Sequence, residues 1–325
     1  MTALRLPLTL CAALVLVAGC GGSQPPIGAS GAMLQTSAIA QHASHGKSWM
    51  LPEAKAEKLV YIAAGQIYVY AYRSSKLVGT IARIGDTHYE CSDKQGNVFV
   101  SVDQFASNTG IYEYAHGGTN PINYFSVPEA FACAVDPITG NLAVINGGPT
   151  IYIFPNASGS PEVYTASNIY YTRGIAYDGS SNLFINGSDI KGHFALVELP
   201  AGGNDFESIT IAGSEGGNAL NPLAWDGQYL ALGSYQSTKK IHDQEVVLRL
   251  AISGSSAEIV GNTPLGAQRE PYHLQFWANG NVAIQASNKP RSHSLVQYFT
   301  YPEGKATKTL RVPPLGAPYG ITVSE

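Results

Sequence analysis

Five segments of the chain repeat one pattern of apolar and polar positions. Each begins with a short apolar strand, passes through an Asp or a substitute into a turn rich in Gly or Asn, and ends in a second apolar strand. The copies read YECSDKQGNVFVSV (89–102), FACAVDPITGNLAVI (131–145), GIAYDGSSNLFIN (174–186), PLAWDGQYLALGS (222–234) and YHLQFWANGNVAIQ (272–285). Segments that alternate with period two follow each copy. A mainly β repeat of roughly 40–50 residues predicts propeller blades, each a four-stranded sheet.

The first repeat lacks its opening strand. Residues 59–63 and 67–72 predict its later strands, but no apolar strand with the opening pattern precedes them. Residues 319–325 at the end of the chain have that pattern, with Glu325 at the Asp position. We therefore predict an all-β fold, a six-bladed β-propeller over residues 51–325. Its ring is closed by the C-terminal strand, which leaves no open sheet edge at the joint.

The N-terminal segment predicts export rather than folded structure. Arg5 precedes an apolar stretch that is too short for a membrane span, and small residues follow it. The sequence Val-Ala-Gly before Cys20 resembles the lipobox of bacterial lipoproteins, which implies a signal peptide over residues 1–19 and acylation of Cys20. An ordinary cleaved signal with an accidental Cys is the alternative. Residues 20–50 are small and polar and predict a flexible tether.

This resemblance also implies a location. Acyl chains would anchor the protein in the lipid bilayer of the cell envelope, facing the periplasm or the cell surface. The residue after Cys20 is Gly21 and not Asp, which in lipoproteins of diderm bacteria suggests the outer membrane.

Composition narrows the possible partners. Charged residues make up 13% of the chain, and the formal net charge is −4. A nucleic-acid surface needs a basic face, so we expect no nucleic-acid partner. We expect a monomer that binds an unknown protein or a small anionic ligand.

The four cysteines have separate predicted roles. Cys11 lies in the signal peptide and Cys20 is the candidate for lipidation. Cys91 and Cys133 fall on the first strands of consecutive repeats, where side chains of neighbouring blades approach one another. They form either a disulfide, as an oxidising compartment permits, or two buried thiols.

The repeat also resembles the NHL type of six-bladed propeller. Copies in that family read roughly G-I-A-V-D-x-x-G-N-L-Y-V, and residues 174–185 match this best. The resemblance covers nearly all of residues 51–325. It implies the architecture but no single activity, because the family includes lyases, lactonase-like hydrolases and binding scaffolds.

The recurring acids are predicted to be structural. Asp93, Asp136, Asp178 and Asp226 occur once per blade, and Asp before a Gly-rich turn accepts backbone N–H bonds. In the last repeat we place Trp277 at this position, which weakens a shared catalytic role. We predict no metal site, no cofactor and no catalytic residue.

Residues that enter the innermost strands are the candidate ligand-binding site. They ring one mouth of the central channel and comprise His88, Phe131, Arg173, Asn221, His273 and Tyr319. A guanidinium and two imidazoles suit an anion. The loops 235–243 and 286–294, which carry local positive charge, are expected on the same face. The function predicted is non-catalytic binding at this face; the alternative is an NHL-like lyase or hydrolase, and a water-filled polar channel is also possible.

Overall fold

The computed structural model describes residues 47–102, 109–212, 222–238, 241–267, 275–287, 295–312 and 318–325. Apart from two short 3₁₀ segments, Pro52–Ala56 and Pro155–Ala157, its regular structure is β.

The strands in chain order are β1 (Trp49–Met50), β2 (Leu59–Ala64), β3 (Gln66–Ala71), β4 (Leu77–Ile81), β5 (Thr87–Ser92), β6 (Val98–Val102), β7 (Gly110–Tyr114), β8 (Pro121–Ser126), β9 (Ala132–Val135), β10 (Leu142–Ile145), β11 (Thr150–Phe154), β12 (Glu162–Thr165) and β13 (Tyr171–Tyr177). The second half contains β14 (Leu183–Ser188), β15 (Phe194–Leu199), β16 (Glu207–Ser208), β17 (Thr210–Ile211), β18 (Leu223–Trp225), β19 (Leu230–Thr238), β20 (Ile241–Ser253), β21 (Ser256–Ala267), β22 (Phe276–Ala278), β23 (Val282–Ser287), β24 (Leu295–Thr300), β25 (Ala306–Arg311) and β26 (Gly320–Ser324).

Six sheets form the six blades of a propeller, as the repeats predicted. From the innermost strand outwards, blade 1 is β26-β2-β3-β4-β1, blade 2 is β5-β6-β7-β8 and blade 3 is β9-β10-β11-β12. Blade 4 is β13-β14-β15-β16, blade 5 is β18-β19-β20-β21-β17 and blade 6 is β22-β23-β24-β25. Innermost strands of successive blades contact one another around the ring.

The C-terminal strand closes this ring, which confirms the predicted closure. β26 pairs antiparallel with β2, with Ile321 opposite Ile62 and Ser324 opposite Leu59. It contacts β5 on one side and β22 on the other. At the outer edge of the same blade Trp49 pairs with Thr80, so the sheet begins two residues before the predicted start of the propeller. Cys20 lies outside the described residues.

Blades 4 and 5 depart from the predicted pattern. A four-stranded blade would make residues 207–212 one outer strand of blade 4. Instead β16 pairs with β15, whereas β17 leaves the sheet and pairs in parallel with β21 of blade 5. The predicted loop 235–243 is also wrong in its described part, because β19 and β20 continue as an extended hairpin to Thr238 and Ile241.

Apolar side chains pack between neighbouring blades. Between blades 2 and 3, Phe99, Phe125 and Phe154 form one buried cluster with the disulfide of Cys91 and Cys133. The two Cα atoms of that disulfide are 5.8 Å apart, and the bond joins the innermost strands β5 and β9. Each blade therefore stabilises its neighbours, since a sheet can bury both faces only between two others.

Candidate functional site

The ring has two faces of different character. We call the end at which the innermost strands begin the entrance face, and the end at which they turn into the second strand the turn face. All six innermost strands line a central cavity of about 220 Å³. Pro137, Trp225 and Trp277 line it near the turns, so it lies towards the turn face.

The channel is constricted towards the entrance face. A space of only about 10 Å³ remains between Tyr89, Arg173, Pro222 and Gln275. The Gln275 Oε1 accepts the N–H groups of Glu90 and Ile321 at 3.1 and 2.8 Å, and its Nε2 donates to the Glu90 carbonyl at 2.7 Å. One side chain of blade 6 thus joins the innermost strands of blades 1 and 2. Sequence reasoning missed Gln275; its position before an innermost strand was the available signal.

Aromatic rings form a continuous arc on the entrance face. Tyr319 lies 5.6 Å from His88, and His88 lies 5.9 Å from Phe131 (ring centroids). The guanidinium of Arg173 lies 5.8 Å from the ring of Phe131 and 5.9 Å from that of Tyr171. The ring centroids of Tyr171 and Tyr170 are 4.7 Å apart, and the two rings pack edge to face. We call these six residues the entrance arc; they come from the starts of blades 1 to 4.

The entrance arc is accessible to a ligand. Tyr170 and Tyr171 are each 50% exposed and Tyr319 is 39% exposed, while the other three members are half-buried. The turns that lead into the innermost strands hold these side chains at the rim. Large exposed aromatic residues on a rigid rim are typical of an interaction surface.

Arg173 gives the entrance arc its positive charge. Its guanidinium stacks between two rings, and within the described part of the chain it forms no ion pair with a carboxylate. Beneath it, burial raises the pKa of Tyr89 to about 12, an effect that Arg173 partly offsets. This phenol stays neutral at ordinary pH, so the cation faces the rim without a counter-charge from below.

The predicted site residues are brought together in part. His88, Arg173 and Tyr319 are members of the entrance arc. Asn221 and His273 lie outside the described residues, as do residues 288–294 of the second predicted loop. Tyr170 and Tyr171 were not predicted. Tyr170 directly precedes β13 and Tyr171 is its first residue, so their closeness to Arg173 in the sequence was the available signal.

The recurring acids make the predicted turns. The Oδ1 atoms of Asp93, Asp178 and Asp226 each accept two backbone N–H bonds from the following turn at 2.7–2.9 Å. In the last repeat this role belongs to Asn279, which accepts the N–H groups of Asn281 and Val282. Our placement of Trp277 there was wrong by two residues, because β22 is followed directly by Asn279. Among the described residues no group of three or more His, Cys, Asp or Glu side chains could hold a metal ion.

One carboxyl group lies deep in the ring. Glu90 on β5 is 1% exposed, and its side chain lies beside Tyr61 and Ala63 of blade 1. Burial raises its pKa to about 8. The nearby N–H of Ala63 offsets part of this rise. Glu90 is therefore largely protonated at neutral pH.

Comparisons with known proteins support the fold. The chain in a crystal structure of a nidogen/laminin complex superposes with a TM-score of 0.62 at 14% identity, over 82% of this chain and 98% of that one. TolB from Acinetobacter baumannii superposes with a TM-score of 0.60 at 14% identity, over 93% of this chain and 74% of that one. No family model and no curated protein matches the sequence. The likeness to NHL repeats therefore remains a resemblance.

None of the helical segments in the described part of the chain is both long and apolar enough to cross a membrane.

Proposed function

We propose that the protein is an extracytoplasmic propeller that binds another protein at its entrance face and catalyses no reaction. The observation that carries this proposal is the entrance arc, in which exposed tyrosines lie beside a guanidinium that pairs with no carboxylate of the described residues. Tyr and Arg are enriched among the residues that contribute most to protein interfaces. They supply large contact area and, around Arg173, cation–π stacking that holds the guanidinium in place.

The partner is expected to present a carboxylate or another anion to Arg173. An acidic side chain of the partner would then meet the guanidinium of Arg173, which no described carboxylate pairs, and the partner's surrounding surface would cover the tyrosines. The fold neighbour from the nidogen/laminin complex supports the idea only in general terms, because it shows a propeller of this shape within a complex of two proteins.

The proposal includes a lipid anchor at the N-terminal side of the propeller. Acylation at Cys20 would hold the propeller near the membrane, with residues 21–46 as the spacer. Replacing Cys20 with Ala should move the full-length protein from the membrane fraction to the soluble fraction. Cys11→Ala, a cysteine change within the signal segment, is the control and should leave the distribution unchanged. A Cys20→Ala protein that sediments with membranes as the wild type does would contradict the anchor.

Site-directed photocrosslinking tests the binding face. A photoreactive phenylalanine analogue at Tyr170 should yield a covalent adduct with the partner in cells that produce the protein. The same analogue at Ile138, which is 58% exposed on the turn face, is the matched control and should yield none. Arg173→Ala in the Tyr170 variant should reduce the adduct. Adducts from position 138 alone, or none from either position, would refute the proposed face.

A further inference from the structure

The outermost segment of blade 4, residues 207–212, pairs with two blades in turn. β16 pairs with β15 through Glu198 opposite Glu207 and Val197 opposite Ser208, and the Ile209 N–H continues this ladder to the Leu196 carbonyl at 2.8 Å. The chain then turns away. Thr210 and Ala212 donate their N–H groups to the carbonyls of Ser255 and Ala257 in blade 5.

This departure leaves two backbone edges that face each other. Alternate residues of an extended strand direct their N–H and C=O groups to opposite edges. The C=O group of Leu196 points away from β14, so the N–H and C=O groups of Phe194 also point away from β14. Thr210 and Ala212 direct their N–H groups to blade 5, so the N–H and C=O groups of Ile211 between them point back towards β15. Phe194 and Ile211 would form the next hydrogen-bonded pair of the ladder, but β17 has moved to blade 5.

A cavity of about 330 Å³ occupies the gap between these edges. Phe194, Leu196, Ile209 and Ile211 form its apolar part and are buried or half-buried. This is room for roughly ten water molecules at about 30 Å³ each, which suits a short stretch of polypeptide. Other blades also end in an outer strand, but only here among the described blades does one chain segment pair with two sheets in succession.

The charged side chain that lines the cavity is a carboxylate. Asp189 lies at its rim together with the polar side chains of Asn168, Ser208 and Thr210. The His193 N–H, followed by weaker contributions from Lys191 and the imidazole, lowers the pKa of Asp189. The rim therefore carries negative charge at neutral pH and favours a basic occupant.

We propose that this slot binds an extended peptide segment of a partner polypeptide, which adds as a strand between β15 and β17 and places a Lys or Arg beside Asp189. Backbone hydrogen bonds to Phe194 and Ile211 would supply affinity independent of sequence, and the apolar cavity would receive a side chain of the peptide. This proposal rests on residues other than those of the entrance arc, so either proposal can fail alone.

Selection from a displayed library of random decapeptides tests the slot. The library is selected on the full-length protein, and the enriched peptides are synthesised with a fluorophore for polarisation assays. We expect basic peptides with alternating apolar residues. Phe194→Pro removes an N–H that points away from β14, so the blade keeps its ladder while the peptide loses a donor. It should weaken binding by about tenfold or more.

Val163→Pro is the matched control. Val163 is 60% exposed on β12, and its N–H also points outwards, because Ala166 three residues later donates to the Pro149 carbonyl of the neighbouring strand. This variant should bind the peptides as the wild type does. Asp189→Asn keeps a turn-forming oxygen, as Asn279 does in blade 6, and should weaken only peptides with a basic residue, by roughly two- to fivefold.

Hydrogen exchange on the wild-type protein gives an independent measurement. The amides of Phe194 and Ile211 should gain protection when an enriched peptide is added, whatever the fate of the proline variants. The proposal is overturned if no selected peptide binds the wild type more tightly than it binds Phe194→Pro. It is also overturned if a bound peptide leaves the amides of Phe194 and Ile211 unprotected from exchange.

Discussion

Single carboxylates in this ring fulfil two opposite structural roles. The turn aspartates accept hydrogen bonds from backbone N–H groups, and two of them also join blades. Ser181 donates to Asp136 at 3.0 Å across blades 3 and 4, and Tyr301 donates to Asp226 at 2.8 Å across blades 5 and 6. By contrast, neither carboxyl oxygen of the buried Glu90 accepts a hydrogen bond within the described part of the chain. Burial therefore disfavours the charged form of Glu90 inside the ring.

Glu90 should make stability depend on pH. The pKa of its carboxyl is about 8 in the folded state, against 4.5 for an unperturbed Glu. Below pH 4.5 both states hold the proton, so the group has no effect. As the pH rises from 4.5 to 8 the unfolded state releases the proton first, and the free energy of unfolding falls by up to a few kcal/mol. Above pH 8 the loss levels off. Thermal melts of the wild type from pH 5 to 9 should show this decline.

Glu90→Gln should remove the decline and raise the melting temperature at pH 8 relative to the wild type. The neighbouring phenol of Tyr61 does not interfere, because burial raises its pKa to about 12. Glu258→Gln, at an exposed position of β21 in blade 5, is the control and should keep the wild-type profile. Parallel pH profiles for the wild type and Glu90→Gln would show that Glu90 ionises normally in the folded protein.

Individual strands were predictable where one local rule decided them. The first hairpin of blades 2 to 6 combines period-two alternation with an Asp- or Asn-stabilised turn, so the sequence alone locates it. The connection between the second and third strands of blade 5 follows no such rule. Residues 235–243 carry Lys, His and Asp and were predicted as a loop, yet β19 and β20 extend through the described part of them. The switch of β17 to blade 5 depends on which sheet lies nearer, and the entrance arc joins residues from four blades; neither is encoded locally.

The disulfide should contribute strongly to the pairing of two elements, β5 and β9. It closes a loop with a sequence separation of 42 residues. Loop-closure entropy then predicts a stabilisation of up to about 4 kcal/mol relative to the reduced chain. The variant with both Cys91→Ala and Cys133→Ala should unfold at correspondingly lower denaturant concentration.

Reducing agent provides the control for this prediction. It should destabilise the wild type and leave the double variant unchanged. Thiol titration of the unfolded, unreduced wild type should detect neither Cys91 nor Cys133. Two reactive thiols there, or equal stability of both proteins, would contradict the bond.

Contacts between the last residues of the chain and blades 1, 2 and 6 close the propeller into a ring. β26 supplies the innermost strand of blade 1, the Ser324 hydroxyl contacts the Gly96 carbonyl and His116 of blade 2, and Gln275 of blade 6 binds Ile321. A short segment therefore connects three blades. Such closure also keeps the entrance arc together, since Tyr319 and His88 come from the two sides of the joint.

Removing residues 320–325 should open the ring. The inner edge of β2 would lose its partner, and β5 and β22 would lose the strand between them, so we expect destabilisation beyond about 4 kcal/mol, which is exceptional for a change at a chain end. Glu325→Ala is the control, because it removes only an exposed ion pair with Lys58 and should cost about 1 kcal/mol or less. A synthetic peptide of residues 319–325, added in excess to the truncated protein, should raise its melting temperature by mass action. A truncated protein that melts with the wild type, or that ignores the peptide, would show that the ring does not depend on its C-terminal strand.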